Sequence, residues 1–93
     1  MNEKILKFDK MYSGLASNPF GKNIYVEQVK GKVDESQKIR IVFPDQIESV
    51  ASSFVQGFFA DWIDRYGYGW IKDNIEIKAR SKELEDKIYE NIL

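Results

Sequence analysis

The sequence predicts an α/β fold: a small single-layer sheet of three to four strands with crossover helices packed on it. Three observations lead there. Residues 39–43 form a short β-branched and aromatic run, Ile39, Ile41, Val42 and Phe43, interrupted only by Arg40, which suits a strand buried on both faces. Residues 54–66 repeat apolar side chains at helical spacing (Phe54, Val55, Phe58, Phe59, Trp62, Ile63, Tyr66), giving one wide apolar face. Strand-like and helix-like stretches then alternate along the chain, as they do where helices cross over a sheet.

Residues 3–12 suit a first strand, with Ile5, Leu6 and Phe8 apolar and lysines placed as at a sheet edge. Residues 13–23 hold two Gly, one Pro, two Ser and two Asn, which reads as a loop anchored by Phe20. It is a connector or a ligand loop, and the connector is the commoner use. Residues 22–34 are ambiguous. Tyr25, Val29 and Val33 recur every four residues, whereas Ile24, Tyr25 and Val26 are strand formers. A helix capped by Asn23 is expected, because a parallel strand at 38–43 needs a crossover before it.

Pro44 cannot donate to a ladder and ends the central strand. Ser52 or Ser53 is the expected N-cap of the central helix, and Gly67 its C-terminal stop. Gly57 lies inside that helix at a cost of about 1 kcal/mol, so close packing of its backbone on the sheet is expected. The aromatic residues of the 67–70 phrase, Tyr68 and Trp70, read as packing over the end of the core, with a recognition patch or dimer contact as the alternative. Ile75 and Ile77 alternate with Glu76 and Lys78 as in a half-exposed strand. Ser81 then caps a last helix with Leu84, Ile88, Ile92 and Leu93 inward and an i,i+4 pair of Glu83 and Lys87 outward.

At 93 residues the chain has room for one domain, residues 1–93, with 1–20 as its N-terminal strand and loop. Lys and Arg number 14 against 15 Asp and Glu. Residues 1–45 carry eight basic and six acidic side chains, and 46–93 carry six and nine. So even a balance gives no basic surface for nucleic acid. No apolar run approaches the ~18 residues of a membrane span, and the N-terminus has no secretory pattern. Without Cys or His the chain lacks thiolate chemistry, the usual zinc ligands and a His-based triad. No metal, cofactor or catalytic residue is expected, and a cytoplasmic setting is.

Ser52 and Ser53 sit at a strand-to-helix turn, but a nucleophile elbow needs flanking glycines and a His, and neither is present. The carboxylates at Glu83, Glu85, Asp86 and Glu90, and at Asp61 and Asp64, read as solvated helix faces. Binding remains. The turn at 44–53 lies at the carboxyl end of a strand, where open α/β sheets place ligands, and the positive end of a helix dipole points there. Asp45, Gln46, Glu48, Ser49, Ser52 and Ser53 are the candidate binding residues.

The phrase Phe43, Ile47, Val50, Ala51, Ser53, Phe54, continued by Gly57 and Phe58, resembles the signature of the STAS-like family of small bacterial domains of unknown function. The resemblance spans about residues 20–93, with its specific part at Phe43–Phe58. It implies a STAS-like domain and a non-catalytic regulatory or protein-interaction module docking a protein partner through 44–53 and the outer face of the central helix. The wider group includes anti-sigma-factor antagonists, whose Asp-Ser-Ser-Gly motif is phosphorylated by a partner ATPase kinase. Here the nearest match is Ala51-Ser52-Ser53-Phe54: both serines agree, the Asp and Gly do not. The resemblance thus makes Ser52 a candidate phosphorylation site. Two alternatives stand beside this reading. One is a small anionic-ligand or nucleotide-binding domain at the same helix N-terminus. The other is a phage- or defence-linked inhibitor acting by docking.

Overall fold

Over residues 2–92, which the computed structural model describes, the chain forms five strands and four helices. In order these are β1 (Asn2–Ile5), β2 (Gly14–Leu15), α1 (Asn18–Gln28), β3 (Ile39–Val42), β4 (Ser49–Val50), α2 (Ser52–Tyr66), α3 (Tyr68–Asn74), β5 (Ile75–Lys78) and α4 (Lys82–Ile92). The main sheet is all parallel in the order β1-β3-β5, and β2 pairs with β4 in a second, two-stranded parallel sheet. The expected small α/β architecture with crossover helices is present, with β1 at an edge.

Strand order here never reverses. Right-handed crossovers that always step the same way place successive helices on the same face. Burial follows that rule. Ile39, Ile41, Ile75 and Ile77 are buried against the helices, whereas Arg40, Val42 and Glu76 are only half-buried and Glu3, Ile5 and Lys78 are exposed. The expectation that 39–43 is buried on both faces is therefore corrected: one face of β3 is core and the other is open.

Between the helices the packing is aromatic. Phe58 stacks on Phe54 (6.0 Å between centroids) and meets Phe59 edge-on at 4.8 Å, and Tyr25 meets Trp62 at 5.2 Å. Gly57 has a different reason from the one expected. A Cβ there would strike the Asn18 carbonyl of α1, and a Cβ on Gly21 of α1 would strike the Phe54 carbonyl and sit 2.8 Å from Phe58 N. The two glycines let α1 and α2 cross backbone to backbone; the sheet is not involved.

Other boundaries shift as well. β1 ends at Ile5, short of Phe8, although Leu6 N still donates to Val42 O (2.9 Å). The 13–23 loop contains β2, and α1 starts at Asn18, capped by Ser17 rather than Asn23. Ser17 holds a φ of 83°, and its Oγ accepts from Phe20 N at 3.2 Å. Pro19, which read as a loop residue, sits in the first turn, where its missing N–H costs nothing. Val33 lies beyond α1 and packs half-buried on the core. Neither Ser52 nor Ser53 caps α2: Ala51 is the N-cap and makes no side-chain bond. Gly67 does end α2, at φ 87°.

The 67–70 phrase opens a short helix, α3, in which Trp70 stacks on Tyr66 at 4.4 Å and leans on Trp62. Tyr66, expected inward, and Tyr68 are both about half exposed. In α4, Leu84, Ile88 and Ile92 are buried and Ser81 Oγ accepts from Leu84 N at 3.1 Å, as expected; Leu93 lies outside the described residues. No helix among the described residues is long and apolar enough to cross a membrane.

Candidate docking site

Ile47 builds the turn after β3. Its side chain is fully buried and its N–H donates to Pro44 O (3.0 Å). That anchor holds the flanking polar residues outward. Beyond it the chain is strapped to the 9–17 segment. Glu48 N donates to Ser13 O at 2.7 Å, Ser49 and Val50 pair with Gly14 and Leu15, and Ala51 N donates to Leu15 O at 2.7 Å. The expected turn thus includes a strand, β4.

The six candidate residues divide into three groups. Gln46, exposed, and Ser53, half-buried, are struts to other segments of the chain. Gln46 Nε2 donates to Asp9 O (2.8 Å) and Tyr12 O (3.1 Å), and Ser53 Oγ accepts from Ser17 N (3.0 Å). Asp45 and Ser52 are exposed. Glu48 and Ser49 line an open cleft of about 440 Å³, completed by Val50 and by Ser81, Glu83, Leu84, Lys87, Glu90 and Asn91 around α4. Glu48 pairs with Arg80 at 3.3 Å on its rim, and Lys87 with Glu83 at 3.8 Å. Apolar Val50 and Leu84 are its buried lining.

The turn lies just past the carboxyl end of β3, as expected, and the cleft beside it runs along α4 from Ser81 to Asn91. The cleft is not the crevice that forms where strand order reverses, because this order does not reverse. It is bounded by β4 on one side and by α4 on the other. Three carboxylates, Glu48, Glu83 and Glu90, meet Lys87 in the lining and Arg80 at the rim, a small acidic excess that does not favour an anion. Ser53 Oγ is held by a backbone N–H rather than by a side-chain base. Among the described residues no three Asp or Glu side chains converge as metal donors would.

A second polar cluster sits at the opposite end, near the C-terminus of α2. Arg65 donates to Glu35 through Nη1 (2.8 Å to Oε1) and Nη2 (2.7 Å to Oε2), and to Asp61 Oδ2 at 2.8 Å. Trp62 Nε1 and Tyr66 Oη also donate to Glu35 (2.8 and 3.0 Å), and Tyr25 Oη donates to Asp61 at 2.6 Å. The Arg65 guanidinium, helped by Trp62 and Tyr66 against some burial, brings the Glu35 carboxyl down from 4.5 to about 2. The Tyr25 bond, with Arg65 behind it, lowers Asp61, and burial raises the Tyr25 phenol. Asp61 and Arg65 are therefore struts, which corrects the reading of Asp61 as part of a solvated face. Glu35 is a residue that sequence reasoning missed. The one sequence signal for it was the inward-facing Trp62, whose indole N–H needs an acceptor when buried.

Compared with family models, curated proteins and solved structures, the chain matches none.

Proposed function

We propose that this chain is a non-catalytic regulatory module that docks a protein partner through residues 44–53 and the adjoining face of α4. The cleft between β4 and α4 carries the reading. Its lining is mainly polar, with Glu48, Glu83, Lys87 and Glu90 around a small apolar floor of Val50 and Leu84. An inserted side chain could find apolar contact there and its backbone polar partners, the division of labour that protein interfaces use. The acidic majority favours a partner segment bearing Lys or Arg, and makes the small anionic-ligand or nucleotide reading the weaker one.

The resemblance of Phe43–Phe58 to STAS-like domains supports a regulatory role in the bacterial cytoplasm, with an ATPase kinase as one kind of partner. Ser52 belongs to that reading. It is exposed on the first turn of α2, where a phosphate would add about −1.5 to −2 charge beside a helix N-terminus. Incubation with a cognate kinase and ATP is expected to add one phosphate by intact mass, absent in Ser52→Ala. No added mass would remove Ser52 from the proposal.

The docking surface is tested by affinity capture followed by titration of the purified partner. Glu48→Lys and Ser49→Arg are expected to weaken binding at least about tenfold at unchanged Tm. Undiminished binding by both variants would rule out the cleft. A Tm rise with millimolar nucleotide would favour the small-ligand reading instead.

A further inference from the structure

We propose that the free edge of β1 is a second docking surface, to which an extended segment of a different protein adds as a fourth strand. Its carboxylate would oppose Lys4, and its apolar side chains would lie beside Ile5 on the open face. The geometry begins with parity. Leu6 N donates to Val42 O at 2.9 Å, so even-numbered residues of β1 turn their backbone groups to β3. Glu3, Ile5 and Lys7 therefore turn theirs outward.

Most of the sheet's edge is sealed by side chains that imitate a neighbouring strand. On β5, Tyr89 Oη accepts from Ile77 N (3.1 Å) and donates to Ile75 O (2.7 Å). On the other edge, Gln28 Oε1 accepts from Lys7 N and Gln28 Nε2 donates to Lys7 O, both at 2.8 Å. The Asn2 side chain is tied to the Asp34 backbone. Between these seals the N–H and C=O groups of Glu3 and Ile5 have no partner among the described residues. Ile5 is also 52% exposed, unusual for isoleucine on a strand. Open edges of this kind are where added strands dock.

Charge decides the occupant. Were a second copy to pair antiparallel through both open residues, Glu3 would face Ile5 of the other copy. Lys4 would then face Lys4 at the closely spaced, non-hydrogen-bonded position, where like charges destabilise the pair. A foreign strand with Asp or Glu at that position gains where the second copy loses. Glu3 does not oppose this, since Arg40 Nη1 lies 3.4 Å from its carboxylate.

The test uses two blocked peptides, Thr-Val-Glu-Val-Thr and Thr-Val-Lys-Val-Thr, titrated into the 15N-labelled chain. The glutamate peptide is expected to give saturable shifts at the Glu3, Lys4 and Ile5 amides, with a Kd below about 1 mM and slowed exchange at Glu3 and Ile5. The lysine peptide binds about fivefold more weakly, and Lys4→Glu inverts that preference. Ile5→Pro abolishes binding, because it removes an outward N–H and no ladder bond. Shifts that do not saturate, or that centre on the Glu48 cleft, overturn the proposal. So does a wild-type dimer with protected β1 amides. Neither Lys4→Glu nor Ile5→Pro touches residues 44–53, so this proposal and the cleft can fail separately.

Discussion

The two faces of the three-stranded sheet are built from alternate residues of the same strands, yet they differ almost completely. On the helix side Ile39, Ile41, Ile75 and Ile77 are 0–3% exposed beneath Phe58 and Trp62. On the other side the in-register row Glu3, Arg40, Glu76 forms a ladder of charges beside Ile5, Val42 and Lys78. Parallel sheets usually have both faces covered. Here the monotonic strand order puts every crossover on one side, and charge keeps the bare side solvated where a second helical layer would otherwise cover it. Stability should therefore be concentrated in one layer of contacts.

The largest expected effect tests that concentration directly. Phe58 touches Phe54, Phe59, Tyr25 and Trp62 and is fully buried. Phe58→Ala should cost about 3–5 kcal/mol by urea denaturation, a large share of what a domain this size can have. A loss under about 1 kcal/mol would mean that the helix face is not the main source of stability.

How far the sequence foretold this contrast depends on distance along the chain. β3, α2, β5 and α4 were legible because their signals are local: β-branching at 39–43, helical spacing at 54–62, alternation at 75–78, a serine cap at 81. The start of α1 was hidden because Ser17 and Pro19, good loop residues, are also good first-turn residues. The open face was not legible, because alternation in β3 depends on where β1 and β5 lie, and β-branched Val42 suits either side. In the candidate site, Gln46 and Ser53 became struts through partners 34–37 residues away. The Glu35 cluster joins residues up to 40 apart. No periodicity encodes such pairings.

The edges sharpen the comparison at intermediate size. Tyr89→Phe keeps the ring and removes the hydroxyl that completes β5, leaving Ile77 N–H and Ile75 C=O unpaired. About 1–3 kcal/mol should be lost, with faster hydrogen exchange at Ile77. Unchanged exchange there would show that water replaces the hydroxyl without penalty.

The Glu35 cluster adds a smaller, pH-dependent share. Its carboxyl lies at about 2 in the folded chain against an ordinary 4.5, so the unfolded chain binds the extra proton. The contribution is complete above about pH 4.5 and is lost as pH falls toward 2. With solvent around half-exposed Arg65 weakening the pair, about 1–2 kcal/mol is a reasonable size. Glu35→Gln should flatten the dependence of stability on pH across that window. An unchanged slope would assign the acid sensitivity to other carboxylates, Asp61 first.

The smallest effect on stability is expected on the bare face, and it is the one that separates the two faces most cleanly. Arg40 lies 3.2 Å from Glu76 and 3.4 Å from Glu3, with all three side chains about a third or more exposed. Ion pairs this wet contribute little to folding. Arg40→Leu should shift Tm by less than about 4 °C, in contrast to Phe58→Ala. What the arginine does is keep the row polar. Leucine there would join Ile5 and Val42 into one apolar strip across β1 and β3 and leave Glu3 and Glu76 uncompensated at its margin. Light scattering should then show association that grows with concentration and is absent in the wild type. If Arg40→Leu were instead as destabilising as Phe58→Ala, the charged row would be a structural layer, and both faces of the sheet would be holding the fold.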